Sequence, residues 1–140
     1  MQEPLETYSS EHIMNTPLKP LPFIVYKLLY PGLYLLAGAP KVGKSWLALG
    51  LCLSVASGEQ FLKHDTSPGQ VLYMSLEDTL LRLQNRLYEL IDEPQEDLHF
   101  AIHSGTIRNG LEDQIVNCKQ KFPNLRLIVI DTLQKIREVT

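Results

Sequence analysis

The sequence predicts one α/β domain built on a mainly parallel β-sheet, in three layers α/β/α. Short apolar runs alternate along the chain with longer stretches whose apolar residues recur every three or four positions. This alternation is typical of strands joined by helices, and a length of 140 residues suits one compact domain. In such a sheet, ligands bind at the carboxyl ends of the strands.

Residues 1–22 are predicted to form an N-terminal arm or linker, and residues 23–140 the domain. The arm is polar and then interrupted by prolines, which suit neither helix nor strand. No apolar run approaches the roughly 20 residues that span a membrane, and no apolar leader begins the chain. We therefore expect a cytoplasmic protein with no membrane partner. The net charge of −3 gives no whole-chain electrostatic footprint for nucleic acid.

Regular elements are predicted from hydrophobic pattern and boundary residues. The run 33–37 is continuously apolar, as in a strand buried on both faces. A helix that follows the second strand is expected to begin at a cap on Asp78 or Thr79 and to end before Pro94. The predicted strands are 33–37, 71–75, 98–102 and 125–130, and the other predicted helices are 44–57 and 111–122.

A phosphate-binding loop is predicted at residues 38–45, which match the pattern GxxxxGKS/T between a predicted strand and a predicted helix. The glycines let backbone N–H groups surround phosphates, and the helix N-terminus favours negative charge. We predict that ATP or a similar nucleotide binds here, with Lys44 on the β- and γ-phosphates as a catalytic group and Ser45 on Mg²⁺. The predicted nucleotide-binding residues are Gly38, Ala39, Pro40, Lys41, Val42, Gly43, Lys44, Ser45 and Trp46.

Acidic residues follow two of the predicted strands. Asp131 ends an apolar strand in the form of a Walker B element, so we expect it to hold Mg²⁺ through water. Position 132 is threonine, so the base that activates water must come from elsewhere. Glu77 is the candidate catalytic base because it ends the second strand at the same edge of the sheet. The alternative is that Glu77 and Asp78 only cap the next helix.

Aromatic residues near the loop have two interpretations. Phe23, Tyr26 or Tyr30 could stack on the purine, although aromatic side chains at such positions more often pack in the core. Trp46, on the helix after the loop, is likewise expected by default to pack in the core.

Three blocks of the sequence resemble the RecA-like ATPases of the RepA and DnaB helicase type, specifically the RepA-like group of AAA-family ATPases. The blocks are 33–48, 71–78 followed by Leu83 and Arg86, and 127–133. The resemblance implies a RecA-like P-loop NTPase fold, Mg²⁺-dependent ATP hydrolysis, and a glutamate base at Glu77. It also implies a helicase that acts on single-stranded DNA in replication, recombination or mobile-element maintenance, usually as a homo-oligomer of six subunits.

Members of that family continue past the magnesium aspartate through strands that carry a polar sensor and an arginine or lysine finger, whereas this chain ends at Thr140. We therefore expect the N-terminal portion of the core, truncated after the Walker B strand, with slow hydrolysis unless the missing half is supplied. Two interpretations stay open, a helicase-type ATPase and a nucleotide-binding interaction module without turnover. An exposed edge on the fourth strand would favour self-association. A small-molecule kinase is disfavoured because no arginine-bearing lid follows.

Overall fold

The computed structural model describes residues 2–20, 22–39 and 42–138. It is an α/β fold with a parallel sheet of three strands in the order β2-β1-β3. Three of the four predicted strands are confirmed, with their bounds moved by one residue. The strands are β1 Gln70–Ser75, β2 Leu98–Ala101 and β3 Leu125–Asp131.

α2, α3 and α4 lie where the sequence predicts helices, whereas α5 and the short α1 in the N-terminal arm were not predicted. α2 begins and ends at the predicted residues, and Gly58 follows it with a left-handed φ of 78° that terminates a helix at little cost. None of the described helices is long and apolar enough to cross a membrane. The helices are α1 Ser10–Asn15, α2 Lys44–Ser57, α3 Leu80–Leu90, α4 Leu111–Lys121 and α5 Leu133–Ile136.

Two apolar clusters cover the two faces of the sheet. On one face, α2 packs Leu49, Cys52 and Val55 against alternate residues of β1, among them Val71. On the other face, the first residues of α4 and the end of α5 pack against the intervening residues of β1, among them Leu72. Because successive strand residues point to opposite faces, both sides of β1 are buried, and helices lie on both sides as expected for three layers.

The prediction of a core strand at 33–37 is wrong. The segment forms no strand, and the side chains of Leu33, Tyr34, Leu35 and Leu36 are 96%, 55%, 78% and 58% exposed. An apolar run becomes a strand only when a neighbour takes its backbone N–H and C=O groups. Among the described residues β3 pairs only with β1, and no strand pairs with residues 33–37. The expectation that the last strand lies at an edge of the sheet is confirmed.

Candidate nucleotide-binding site

The loop after residue 37 turns directly into α2. Gly43 caps the helix in the left-handed region at φ 89°, which costs glycine little and strains other residues. Within the described part of the chain no side chain caps α2, and its first turn contains no acidic residue. The first N–H groups of a helix lack intrahelical partners, so this N-terminus has the free donors and positive dipole that bind phosphate.

Lys44 folds back over the loop, where its ammonium donates a hydrogen bond to the carbonyl of Gly38. An ammonium carries three donors, so two remain for phosphate oxygens. A Cβ added at Gly38 would lie 3.3 Å from Cγ2 of Val42 and 3.5 Å from Cδ of Lys44, so these side chains pack closely over the backbone of the loop. Ala39 and Val42 are exposed at the loop surface. The other two predicted loop residues, Pro40 and Lys41, lie outside the described residues.

Ser45 and Asp131 meet at the carboxyl edge of the sheet, although 86 positions separate them in the chain. The hydroxyl of Ser45, in the first turn of α2, donates to Oδ2 of Asp131 at 2.7 Å. The contact puts the phosphate loop directly beside the end of β3. The two side chains proposed from sequence as magnesium ligands are therefore neighbours.

Two further hydroxyls hold the Asp131 carboxylate, and neither is predicted by the sequence pattern. Tyr73 donates to Oδ2 at 2.7 Å, and Thr132 donates to Oδ1 at 3.1 Å. Burial raises the pKa of Asp131, but hydrogen bonds from Ser45, Tyr73 and Thr132 outweigh it and hold the pKa below its ordinary value. Burial, and then the bond to Asp131, raises the pKa of Tyr73 far above its ordinary value. At neutral pH the carboxylate is thus ionised and the phenol is a donor.

The paired oxygens of Ser45 and Asp131 fit Mg²⁺. Mg²⁺ prefers oxygen ligands, and in phosphate sites it takes one or two from protein and the rest from phosphate and water. The described part of the chain has no cluster of three or more His, Cys, Asp or Glu side chains that could hold a metal without phosphate.

The strand register brings the turn that carries Glu77 and Asp78 next to the end of β3. Ser75 is the partner of Asp131 between β1 and β3, and the N–H of Leu76 donates to the carbonyl of Asp131 at 2.8 Å. The carboxylate of Asp78 already has two partners, since its Oδ2 accepts hydrogen bonds from Ser75 Oγ at 2.6 Å and from Arg86 Nη1 at 2.7 Å. Glu77 is exposed and makes no side-chain hydrogen bond or ion pair within residues 2–20, 22–39 and 42–138.

Neither acid caps the following helix. The cap of α3 is Thr79, whose Oγ1 accepts from the N–H of Arg82 at 3.2 Å. The expectation of a cap at Asp78 or Thr79 is thus met by Thr79, and the alternative of Glu77 and Asp78 as capping residues is wrong. The reason is geometric: the chain turns between Ser75 and Asp78, where the N–H of Asp78 faces the carbonyl of Ser75 at 3.4 Å, before the helix begins.

Trp46 is not a core residue as expected, because 40% of it is exposed. It continues the buried stripe of α2 past the end of the sheet, where the guanidinium of Arg86 lies 5.8 Å from its ring centre. Phe23, Tyr26 and Tyr30 line an open cleft of about 580 Å³ with Arg126, near the start of β3. That cleft is at the opposite edge of the sheet from Asp131, so stacking of these rings on a nucleotide held by the loop is not supported.

The chain matches the model of the AAA_25 family, described as an AAA domain, over residues 2–139. No curated protein matches the chain, and no solved structure does. The match covers nearly the whole chain, and membership implies an ATP-binding P-loop domain. The loop before α2 and the parallel sheet that ends at Asp131 agree with that assignment. This chain belongs to the AAA_25 family of RepA-like AAA ATPases.

Proposed function

We propose that this chain binds ATP with Mg²⁺ and hydrolyses it as part of a helicase-type motor that acts on single-stranded DNA in replication, recombination or mobile-element maintenance. The observation that carries the proposal is the 2.7 Å contact between Ser45 and Asp131, which joins the phosphate loop to the carboxyl edge of the sheet. Beside that contact, a turn at the end of β1 holds Glu77. Binding groups and a candidate base are thus gathered at one edge.

Phosphate binding falls to the loop and the first turn of α2. Backbone N–H groups at the start of α2 would donate hydrogen bonds to phosphate oxygens. The ammonium of Lys44 lies at the same loop, where it is bonded to the carbonyl of Gly38. Phosphate oxygens would share the ammonium with that carbonyl. Lys44 would then stabilise the charge that develops on the transferred phosphoryl group.

Ser45 and Asp131 would hold Mg²⁺, which, when bound, neutralises phosphate charge and orients the terminal phosphoryl group. The Ser45 hydroxyl can donate its hydrogen bond to Asp131 and still offer a lone pair of its oxygen to the cation. Asp131 is ionised at neutral pH, since its pKa is held below its ordinary value. Both groups are therefore in the chemical form that a divalent cation requires.

Glu77 is the group we propose as general base. Asp78 is occupied by Ser75 and Arg86, and this ion pair ties the turn to α3. Glu77, next to it, is exposed and therefore free to accept a proton from a water molecule at the loop. The turn that carries Glu77 follows Ser75, whose partner on the neighbouring strand is Asp131.

The binding step is tested by calorimetry of Mg-ATP with the wild type, Lys44→Ala and a matched Lys27→Ala variant. Removal of a charged partner of phosphate costs at least about 2 kcal/mol, or roughly 30-fold in affinity. Lys27 is exposed and lies 5.5 Å from the ring centre of Tyr26, outside the loop, so its loss leaves binding unchanged. Equal affinities of the wild type and Lys44→Ala would overturn the proposed site.

Turnover is tested by single-turnover and steady-state hydrolysis, with and without single-stranded DNA, on the wild type, Glu77→Gln and Glu93→Gln. Loss of a general base lowers the rate about 100-fold to 10,000-fold. Glu93 is an exposed glutamate beyond α3 and serves as the control. Turnover that DNA stimulates and Glu77→Gln removes supports a motor ATPase; turnover that survives Glu77→Gln would reject Glu77 as base.

A second candidate function is a nucleotide-binding interaction module without turnover. It is favoured by the unpaired apolar segment 33–37 and by the edge of β3 that pairs with no described strand. Such surfaces promote association with another chain, which also agrees with the proposed homo-oligomer. Mg-ATP binding without hydrolysis, together with a molecular mass by light scattering above that of one chain, would support this second function.

A further inference from the structure

The hydroxyl of Tyr73 shares an acceptor with the hydroxyl of Ser45. Both donate at 2.7 Å to the same oxygen, Oδ2 of Asp131. Tyr73 lies on β1 and Ser45 on α2. A carboxylate oxygen has about two lone pairs, so these two donors saturate Oδ2. The other oxygen, Oδ1, accepts only the longer bond from Thr132, at 3.1 Å, within the described residues.

The ring of Tyr73 cannot follow a moving carboxylate. Tyr73 is 1% exposed, and its ring lies in the apolar cluster beneath α2, tilted against Phe100 with ring centres 5.8 Å apart. Its Cα is paired with Val129 in the sheet, two residues before Asp131 on the same face of β3. The hydroxyl is therefore a fixed donor, unlike the Ser45 hydroxyl, which stands at a helix end in contact with the ligand loop.

We propose that Tyr73 is a positioning residue that fixes Asp131 so that its Oδ1 faces the incoming divalent cation. The inference rests on the proposed function of the loop as a Mg-nucleotide site. Ser45 stands at a helix end and is itself a proposed cation ligand, whereas the Tyr73 hydroxyl is carried by a buried ring. Partners of metal ligands typically change metal affinity by about 10–100-fold when they are removed. A buried aromatic ring whose role was packing alone would leave metal affinity unchanged when only its hydroxyl is lost.

The test compares the wild type, Tyr73→Phe and Tyr88→Phe. Mn²⁺ binding to the ADP complex is measured by electron paramagnetic resonance, and ADP affinity in EDTA by calorimetry. Tyr88 is 74% exposed on α3, so Tyr88→Phe removes a hydroxyl outside the site. We expect Tyr73→Phe to weaken Mn²⁺ binding about 10-fold or more, with ADP affinity in EDTA unchanged. Equal Mn²⁺ affinities in all three proteins would overturn the inference.

The wild-type measurement distinguishes failure of the proposed function from failure of this inference alone. If the wild type binds neither ADP nor Mn²⁺-ADP, the proposed function and this inference both fail; if it binds both and Tyr73→Phe behaves like it, only the inference fails. If Tyr73→Phe does not fold, an NMR measurement on the wild type still tests the role of Tyr73. The hydroxyl proton of the buried Tyr73, followed by NMR, must change its chemical shift when Mg²⁺ is added to the ADP complex. An unmoved resonance would reject a role for Tyr73 at the metal.

Discussion

Two short apolar segments of this chain differ in structure: one is a buried strand and the other is exposed and forms no strand. Residues 71–75 form most of the central strand, where Val71 is 0% exposed and Leu72 7% exposed. Residues 33–37 are as apolar in sequence, yet Leu33 is 96% exposed and Leu35 78% exposed. The two segments are similar in apolar character and differ in the strands that lie beside them.

β1 has a hydrogen-bonded strand on each side, whereas residues 33–37 have none among the described strands. Backbone groups of a buried strand must be paired, so an apolar run without a neighbour does not enter the sheet. Hydrophobic pattern therefore states which segments can form a core strand, and pairing decides which of them do. Variants that change the same residue type in two surroundings test this comparison directly.

The largest difference is expected between Leu72→Ala and Leu35→Ala. Leu72 is buried between the sheet and the start of α4, so its truncation leaves a cavity and costs about 2–5 kcal/mol of unfolding free energy. Leu35 is exposed, and its truncation should change that free energy by less than about 0.5 kcal/mol. Urea unfolding followed by circular dichroism measures both. A comparable loss in Leu35→Ala would mean that residues 33–37 are packed in solution.

The sequence was sufficient to predict the three paired strands, the bounds of α2, and the meeting of Ser45 with Asp131. These depend on local pattern and on the general rule that parallel strands end at one edge. Tyr73 was missed because a buried tyrosine is normally only a core residue, and its hydroxyl partner depends on register. With Tyr73 opposite Val129, Asp131 lies two residues further on the same face. Counting alternate residues along β1 and β3 would have found the pair once the register was known.

The arginines of α3 provide the next comparison. Arg86 donates to Asp78 at 2.7 Å, with its side chain 25% exposed and that of Asp78 10% exposed, whereas Arg82 lies 4.0 Å from Asp78 and is 69% exposed. Arg86→Ala leaves a mostly buried carboxylate without its cation and should cost about 1.5–3 kcal/mol. Arg82→Ala should cost no more than about 0.5 kcal/mol.

Thermal unfolding of the two arginine variants at low and at high salt separates these contributions. An exposed ion pair weakens with salt, whereas a desolvated one is screened much less. The loss in Arg86→Ala should therefore persist at high salt. If both variants lost equal stability, the turn at residues 75–78 would not be anchored to α3 as the structure shows.

The smallest expected effects come from two glycines of the loop and helix, Gly43 and Gly50. An added Cβ meets nothing within 4 Å at either position, so the two sites differ in backbone conformation alone. Gly43 has a left-handed φ of 89°, and Gly43→Ala should destabilise the fold by about 1–2 kcal/mol. Gly50 lies inside α2, and Gly50→Ala should stabilise it by about 0.5–1 kcal/mol.

The signs of the two changes, measured by urea unfolding, distinguish a backbone requirement from a general sensitivity of α2. Gly43→Ala should in addition weaken ADP binding, because a shifted cap misdirects the first N–H groups of the helix, while Gly50→Ala should leave binding unchanged. If Gly43→Ala were neutral in stability and in binding, the left-handed cap would not be the conformation in solution. The loop would then resemble residues 33–37, with a sequence pattern suited to a structure that its surroundings do not enforce.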